Sequence, residues 1–136
     1  MQGILWAVIQ ASDSLSTMVP RFEVVQSHHI TLQYGVELAT WAQWVGYEFE
    51  AIATEECWSD RIQALQVTLP TTIPCINPHP HITISHRIDV EPQEANAMLA
   101  DFHQSTPIQL IIPVKIEFYS KALSAENQGN KGIEEF

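Results

Sequence analysis

Apolar residues along this chain fall into short runs separated by polar or proline-rich breaks, the pattern of strands more than of helices. The first run, Ile4 to Gln10, predicts a strand, and the polar stretch Ala11-Ser12-Asp13-Ser14 after it predicts a loop or a helix start. Phe22 to Gly35 is the next ordered run. It ends in a strand over His28 to Tyr34, with Gly35 as punctuation. Glu37 to Val45 holds helix formers but is short, and Gly46 would stop it. Tyr47 to Trp58 is rich in β-formers, Ser59-Asp60 reads as a hairpin turn, and Arg61 to Leu69 is the returning strand. Pro70, Pro74, Pro78 and Pro80 mark an extended linker that delivers a strand over His81 to His86. One clear helical period follows. Glu91-Pro92 opens it, and Ala95, Met98, Leu99 and Phe102 recur at spacings of three and four. Pro107 precedes the last strand, Ile108 to Tyr119, in which Pro113 suggests an edge position or a bulge. The polar tail from Ala122 to Phe136 reads as loose, beyond a single domain over residues 1–121. Strands dominate, which predicts an α+β domain with mostly antiparallel sheets.

Composition narrows the class. With 136 residues, 46% hydrophobic and 16% charged, the chain is a folded domain rather than a disordered one. The run Ile4 to Ile9 is too short to span a membrane and lacks a basic lead, so the expectation is a cytoplasmic protein with no membrane partner. Cys57 and Cys75 form no CxxC pair, and two free thiols are expected. The net charge of −10 sets 6 Lys and Arg against 16 Asp and Glu. Long nucleic acids are held mainly through phosphate neutralisation. The scattered cations Arg21, Arg61, Arg87, Lys115, Lys121 and Lys131 offer little for that. A substrate of one to a few nucleotides, or a nucleic-acid end, fits better than an extended track.

One short pattern occurs twice: His29-Ile30-Thr31-Leu32 and His81-Ile82-Thr83-Ile84. On a strand, each copy puts an imidazole and a hydroxyl on one face and two aliphatic groups on the other. Side by side, the copies would bring two imidazoles and two hydroxyls to one phosphate. One imidazole would take a proton from the attacking water and the other would give one to the leaving oxygen, each transfer contributing typically ~10²–10⁴. Thr31 and Thr83 would donate hydrogen bonds to the non-bridging oxygens. No metal or cofactor is called for. The sequence leaves open which histidine is the acid. Two copies also suggest two lobes, each lending one strand to a shared cleft.

The residues His28-His29-Ile30-Thr31-Leu32-Gln33-Tyr34-Gly35 and Pro80-His81-Ile82-Thr83-Ile84-Ser85 resemble the signature of the 2H phosphoesterase superfamily. The resemblance is closer to the branch that includes the "Swiss Army knife" RNA-repair-like proteins, the cyclic phosphodiesterase domain of fungal tRNA ligases and phage anti-CBASS nucleases. Trp58 to Leu65 and Ala95 to Leu99 add to it, so that it covers roughly residues 4 to 120. It implies a bilobal fold of two β-sheets with outer helices around a central groove. It implies metal-independent opening of 2′,3′-cyclic phosphates, on a nucleotide or an RNA end, with His29, Thr31, His81 and Thr83 at the reacting centre. Cleavage of cyclic oligonucleotide immune signals is the alternative substrate. A nucleotide-binding protein without chemistry, and an interaction module with merely structural strands, are the alternative classes.

Other residues carry weaker readings. Trp6 and Tyr34 are the expected base-stacking platforms, and Trp41 and Trp44 read as packing against a sheet. Arg61 or Lys115 is a candidate for positive charge near the phosphate. His79-Pro80-His81 with His28, His29 or His86 makes a zinc set on paper, although no carboxylate joins it at a known spacing. Strict alternation turns His28 away from His29 and gives it a structural role. His86 and His103 read as solvated.

Overall fold

The computed structural model describes residues 2–10, 13–101 and 103–120. Seven strands, three short helices and a 3-10 turn occupy them. The order is β1 (Gln2–Ile9), α1 (Asp13–Ser16), β2 (Val24–Val25), β3 (His29–Glu37), α2 (Leu38–Trp41), the 3-10 turn Ala42–Trp44, β4 (Glu48–Trp58), β5 (Ile62–Thr68), β6 (His81–His86), α3 (Glu94–Ala100) and β7 (Gln104–Tyr119). The expected tail over residues 122–136, and the Phe102 position of the helical stripe, lie outside the described residues. No helix among the described residues is long and apolar enough to cross a membrane.

The strands form one antiparallel sheet in the order β2-β6-β3-β1-β7-β4-β5. A further pairing of β6 with β5 closes six of them into a barrel. This corrects the expectation of two sheets in two lobes: the molecule is mostly β, with a single closed sheet and short helices. The two motif strands do not belong to separate halves. They are neighbours in the same sheet, joined at Ile30 and Ile82.

Alternation explains why the sheet closes. Leu5, Ala7, Ile30, Leu32, Ala51, Ala53, Leu65, Val67, Ile82, Ile112, Val114 and Ile116 are buried in one cluster, which fills the barrel. These positions recur at every second residue, so closure removes a whole face of each strand from water. Ile73, in the proline-rich linker, joins that cluster, and the backbone N–H of Ile76 donates to the Leu32 carbonyl at 2.9 Å. The linker thus packs against the barrel core. On the outer surface, α3 lays Ala95, Met98 and Leu99 against Cys57, Ile62 and Ala64. Ile4, Trp6 and Tyr119 form a separate outer cluster on β1 and β7.

The Ser59-Asp60 turn forms as expected, with Ser59 N–H donating to the Ile62 carbonyl and the Ser59 hydroxyl oxygen accepting from Arg61 and Ile62. The helix begins at Glu94, after a turn at Pro92. Pro113 sits inside β7, which is flanked by both β1 and β4. The ladder to β1 ends at Ile9 and Val114, and the Pro113 carbonyl accepts from Gln10 just beyond. The missing N–H therefore faces the end of β1, where the ladder needs no donor. Both thiols are free, as expected; Cys57 is buried in the outer cluster under α3.

Candidate active site

Antiparallel pairing of Ile30 with Ile82 fixes the site. Both isoleucines point into the barrel and are fully buried. The residues flanking them must point outward. In that register His29 lies across from Thr83, and Thr31 across from His81, so like groups sit on a diagonal. His29, Thr31, His81 and Thr83 line one small pocket with Gln26, His28 and Pro92, a cleft with a cavity volume of about 20 Å³ that opens to solvent. The pocket is on the outside of the barrel, over the seam between β3 and β6. Trp6 stands opposite Thr31 on β1, and the first turn before α3 supplies Pro92 from the other side.

Each motif histidine is held at its Nδ1 atom. Nδ1 of His81 lies 2.7 Å from the His79 carbonyl oxygen. A carbonyl only accepts, so this nitrogen carries the proton and neutral His81 has a bare Nε2. Nδ1 of His29 lies 3.2 Å from Nδ1 of His28. Burial pulls His29 down from 6.5 to about 3, and the imidazoles of His28 and His81 add to the effect. Burial lowers His81 too, opposed by its bond to His79. Two neutral imidazoles therefore face the pocket at neutral pH in the free protein.

His28 departs from the expected turn away from the site. Ser27 has a φ of 74° and donates its N–H to the Thr83 carbonyl, so β2 runs along β6 before a bulge and β3 resumes at His29. The bulge breaks alternation, and both histidines reach the same pocket. His86 is another correction. It is 5% exposed and lies between the Arg87 carbonyl, 2.8 Å from its Nδ1, and the Gln26 amide, 3.2 Å from its Nε2. The carbonyl fixes the proton on Nδ1, so Gln26 donates to Nε2 and is oriented as part of the pocket wall. His103 follows α3, with Nδ1 2.8 Å from the Asp101 carbonyl and 3.0 Å from that of Met98, and caps the helix end.

Trp6 is not a platform open to a base. It is 3% exposed; Tyr119 stacks on it at 4.7 Å between ring centroids, and His29 meets it tilted at 4.2 Å. It backs the histidines instead of receiving substrate. Tyr34 is 63% exposed and does not line the pocket. Arg61 is bonded to Glu94, and neither it nor Lys115 reaches the pocket wall. Trp41 and Trp44 pack against the core, as expected. Among the described residues no group of three or more His, Cys, Asp or Glu is arranged to hold a metal ion. Sequence reasoning missed Gln26 and Pro92, and neither carries a signal that points to the pocket. For His28, the His28-His29 pair was the signal available.

A family model, the fungal tRNA ligase phosphodiesterase domain, matches residues 47–122, more than half of the chain. The matched span runs from just before β4 past the end of β7. It holds His81 and Thr83 and starts after His29 and Thr31. No curated protein and no solved structure matches the chain.

Proposed function

The chain belongs to the fungal tRNA ligase phosphodiesterase domain family, and from that premise we propose that it opens 2′,3′-cyclic phosphates by two-histidine acid–base catalysis. The family itself implies cyclic phosphodiesterase chemistry on RNA ends. The finer reading rests on one observation above all: both His-x-Thr copies line a single pocket although they come from distant parts of the chain. His81, with a bare Nε2, takes the proton of the attacking water. His29, protonated once the diester anion is bound, gives a proton to the departing ribose oxygen. Thr31 and Thr83 donate to the non-bridging oxygens, where charge gathers. A bond forms between the water oxygen and phosphorus, and one P–O bond to the ribose breaks.

Among the described residues the pocket wall carries no lysine or arginine, and Arg21, Arg61 and Arg87 are each paired with a carboxylate elsewhere. A singly charged diester at a chain end or on a small nucleotide suits such a site better than a polyanionic track. The same observation admits a small cyclic oligonucleotide as the second reading.

A cleavage assay in EDTA tests both. The panel holds 2′,3′-cyclic mononucleotides, an RNA with a 2′,3′-cyclic end, 3′,5′-cyclic mononucleotides and cyclic di- and trinucleotides. Turnover of the 2′,3′-cyclic substrates is expected, with a loss of ~10²–10⁴ in His29→Ala and in His81→Ala. Preference for a cyclic oligonucleotide would favour the second reading. No turnover by a folded wild-type protein would leave a binding protein.

A further inference from the structure

We propose that His28 is the orienting partner of His29, holding the ring in place in its resting tautomer, as an imidazolium and after it has given up its proton. The inference rests on the reading of His29 as an acid–base group. The two motif histidines are held differently. The His79 carbonyl can only accept, so its bond to His81 demands a proton on Nδ1. His29 faces another imidazole, and an imidazole nitrogen either donates or accepts. When His29 is neutral with its proton on Nε2, Nδ1 of His28 donates to it. When His29 is an imidazolium, it donates from Nδ1 and His28 accepts, and the same bond remains after Nε2 has given its proton to the leaving oxygen. The 3.2 Å contact survives either way. A carbonyl in the same place would lose its bond whenever His29 carried its single proton on Nε2.

His28 is itself fixed. Its carbonyl accepts from Ile9 at 2.9 Å, and its ring meets Trp6 edge-on at 5.1 Å. Trp6 also packs on His29, so one indole braces both imidazoles. Glu117 of β7 and His81 of β6 are the other titratable groups whose charge reaches this pair. Glu117 favours a proton on His28 and His81 disfavours one on His29. His28 acts through His29 and is a positioning residue.

The test compares His28→Leu, which keeps apolar bulk against Trp6, with His28→Asn, which keeps a side-chain donor and acceptor near the place of Nδ1. Expected is a fall in kcat of roughly 10–100-fold for the leucine variant with KM little changed. The asparagine variant should recover most of the loss. Wild-type kcat in the leucine variant, or equal loss in both, would overturn the proposal. A second readout needs no turnover. In ¹⁵N-labelled wild-type protein, coupling between the two Nδ1 nuclei across the shared hydrogen bond should be visible by NMR. Its absence would overturn the proposal even in an active enzyme. Its presence in a protein without phosphodiesterase activity would locate the failure in the functional reading instead.

Discussion

His29 spends its resting life without a charge, and that has a cost at low pH. Its pKa in the folded protein is about 3, against an ordinary 6.5. Between those values the unfolded chain binds a proton at this ring that the folded chain refuses. Stability therefore rises with pH across that window and reaches its full value above 6.5. By pH 5 the loss from this one group comes to about 2 kcal/mol. His29→Asn removes the titrating ring. Urea unfolding at about pH 7 and pH 5 should show a smaller drop in midpoint for the variant than for wild type; equal drops would contradict the buried neutral ring. Residue identity alone placed the four groups of the two motifs correctly on outward faces, because alternation needs no knowledge of the rest of the fold. It misplaced Trp6. Thr31 and Trp6 do share a face, yet Tyr119 comes from the far end of the chain to cover the indole. No local pattern announces which strand will be a neighbour.

At the scale of the element, the turn of the chain at Ser27 decides how many histidines the pocket receives. Its φ of 74° is left-handed, a region that costs a non-glycine residue about 1–2 kcal/mol. Ser27→Gly should leave activity intact, since glycine adopts this conformation freely. Ser27→Val should lose about 1–3 kcal/mol of stability. It should also reduce turnover, because a β-branched side chain resists the bulge and pulls His28 and His29 back into regular alternation. Thermal melts and kcat for the two variants check this; a valine variant as stable and active as the glycine one would sink it. Serine at this position explains why the bulge was illegible in the sequence. Glycine or asparagine would have marked a left-handed residue, whereas serine beside two histidines reads as ordinary strand entry. The hairpin at Ser59 and the helix carrying Ala95, Met98 and Leu99 were legible for the opposite reason: their signals are local and agree with one another.

Over the whole molecule, the sheet is unevenly sewn. β4 and β7 pair over ten positions from Glu48 to Trp58, while β3 and β6 share the single pair Ile30 and Ile82. The β3–β6 seam under the candidate site is thus the shortest ladder of the barrel, and the N–H groups of Gln26 and Ser27 extend it by bonds to the Ile84 and Thr83 carbonyls. Hydrogen exchange should find amides of β3 and β6 at this joint opening at lower free energy than those between β4 and β7. Ile82→Ala should cost about 2–5 kcal/mol and lower activity at the same time, as the deleted side chain lies beneath the proposed catalytic pair. Uniform protection around the barrel would argue against a weak seam. Two copies of a strand motif had suggested two lobes. The correction is one of topology: both copies lie in a single sheet, and which edges meet is settled by contacts far apart in sequence. That meeting has a consequence for protein synthesis. A chain emerging from the ribosome exposes its first His-x-Thr strand long before the second exists, and at that stage it owns half of the candidate site. Under the proposed two-histidine mechanism, hydrolytic power would arrive only after β6 has been made and has docked beside β3, and interrupted or misassembled chains would be chemically silent.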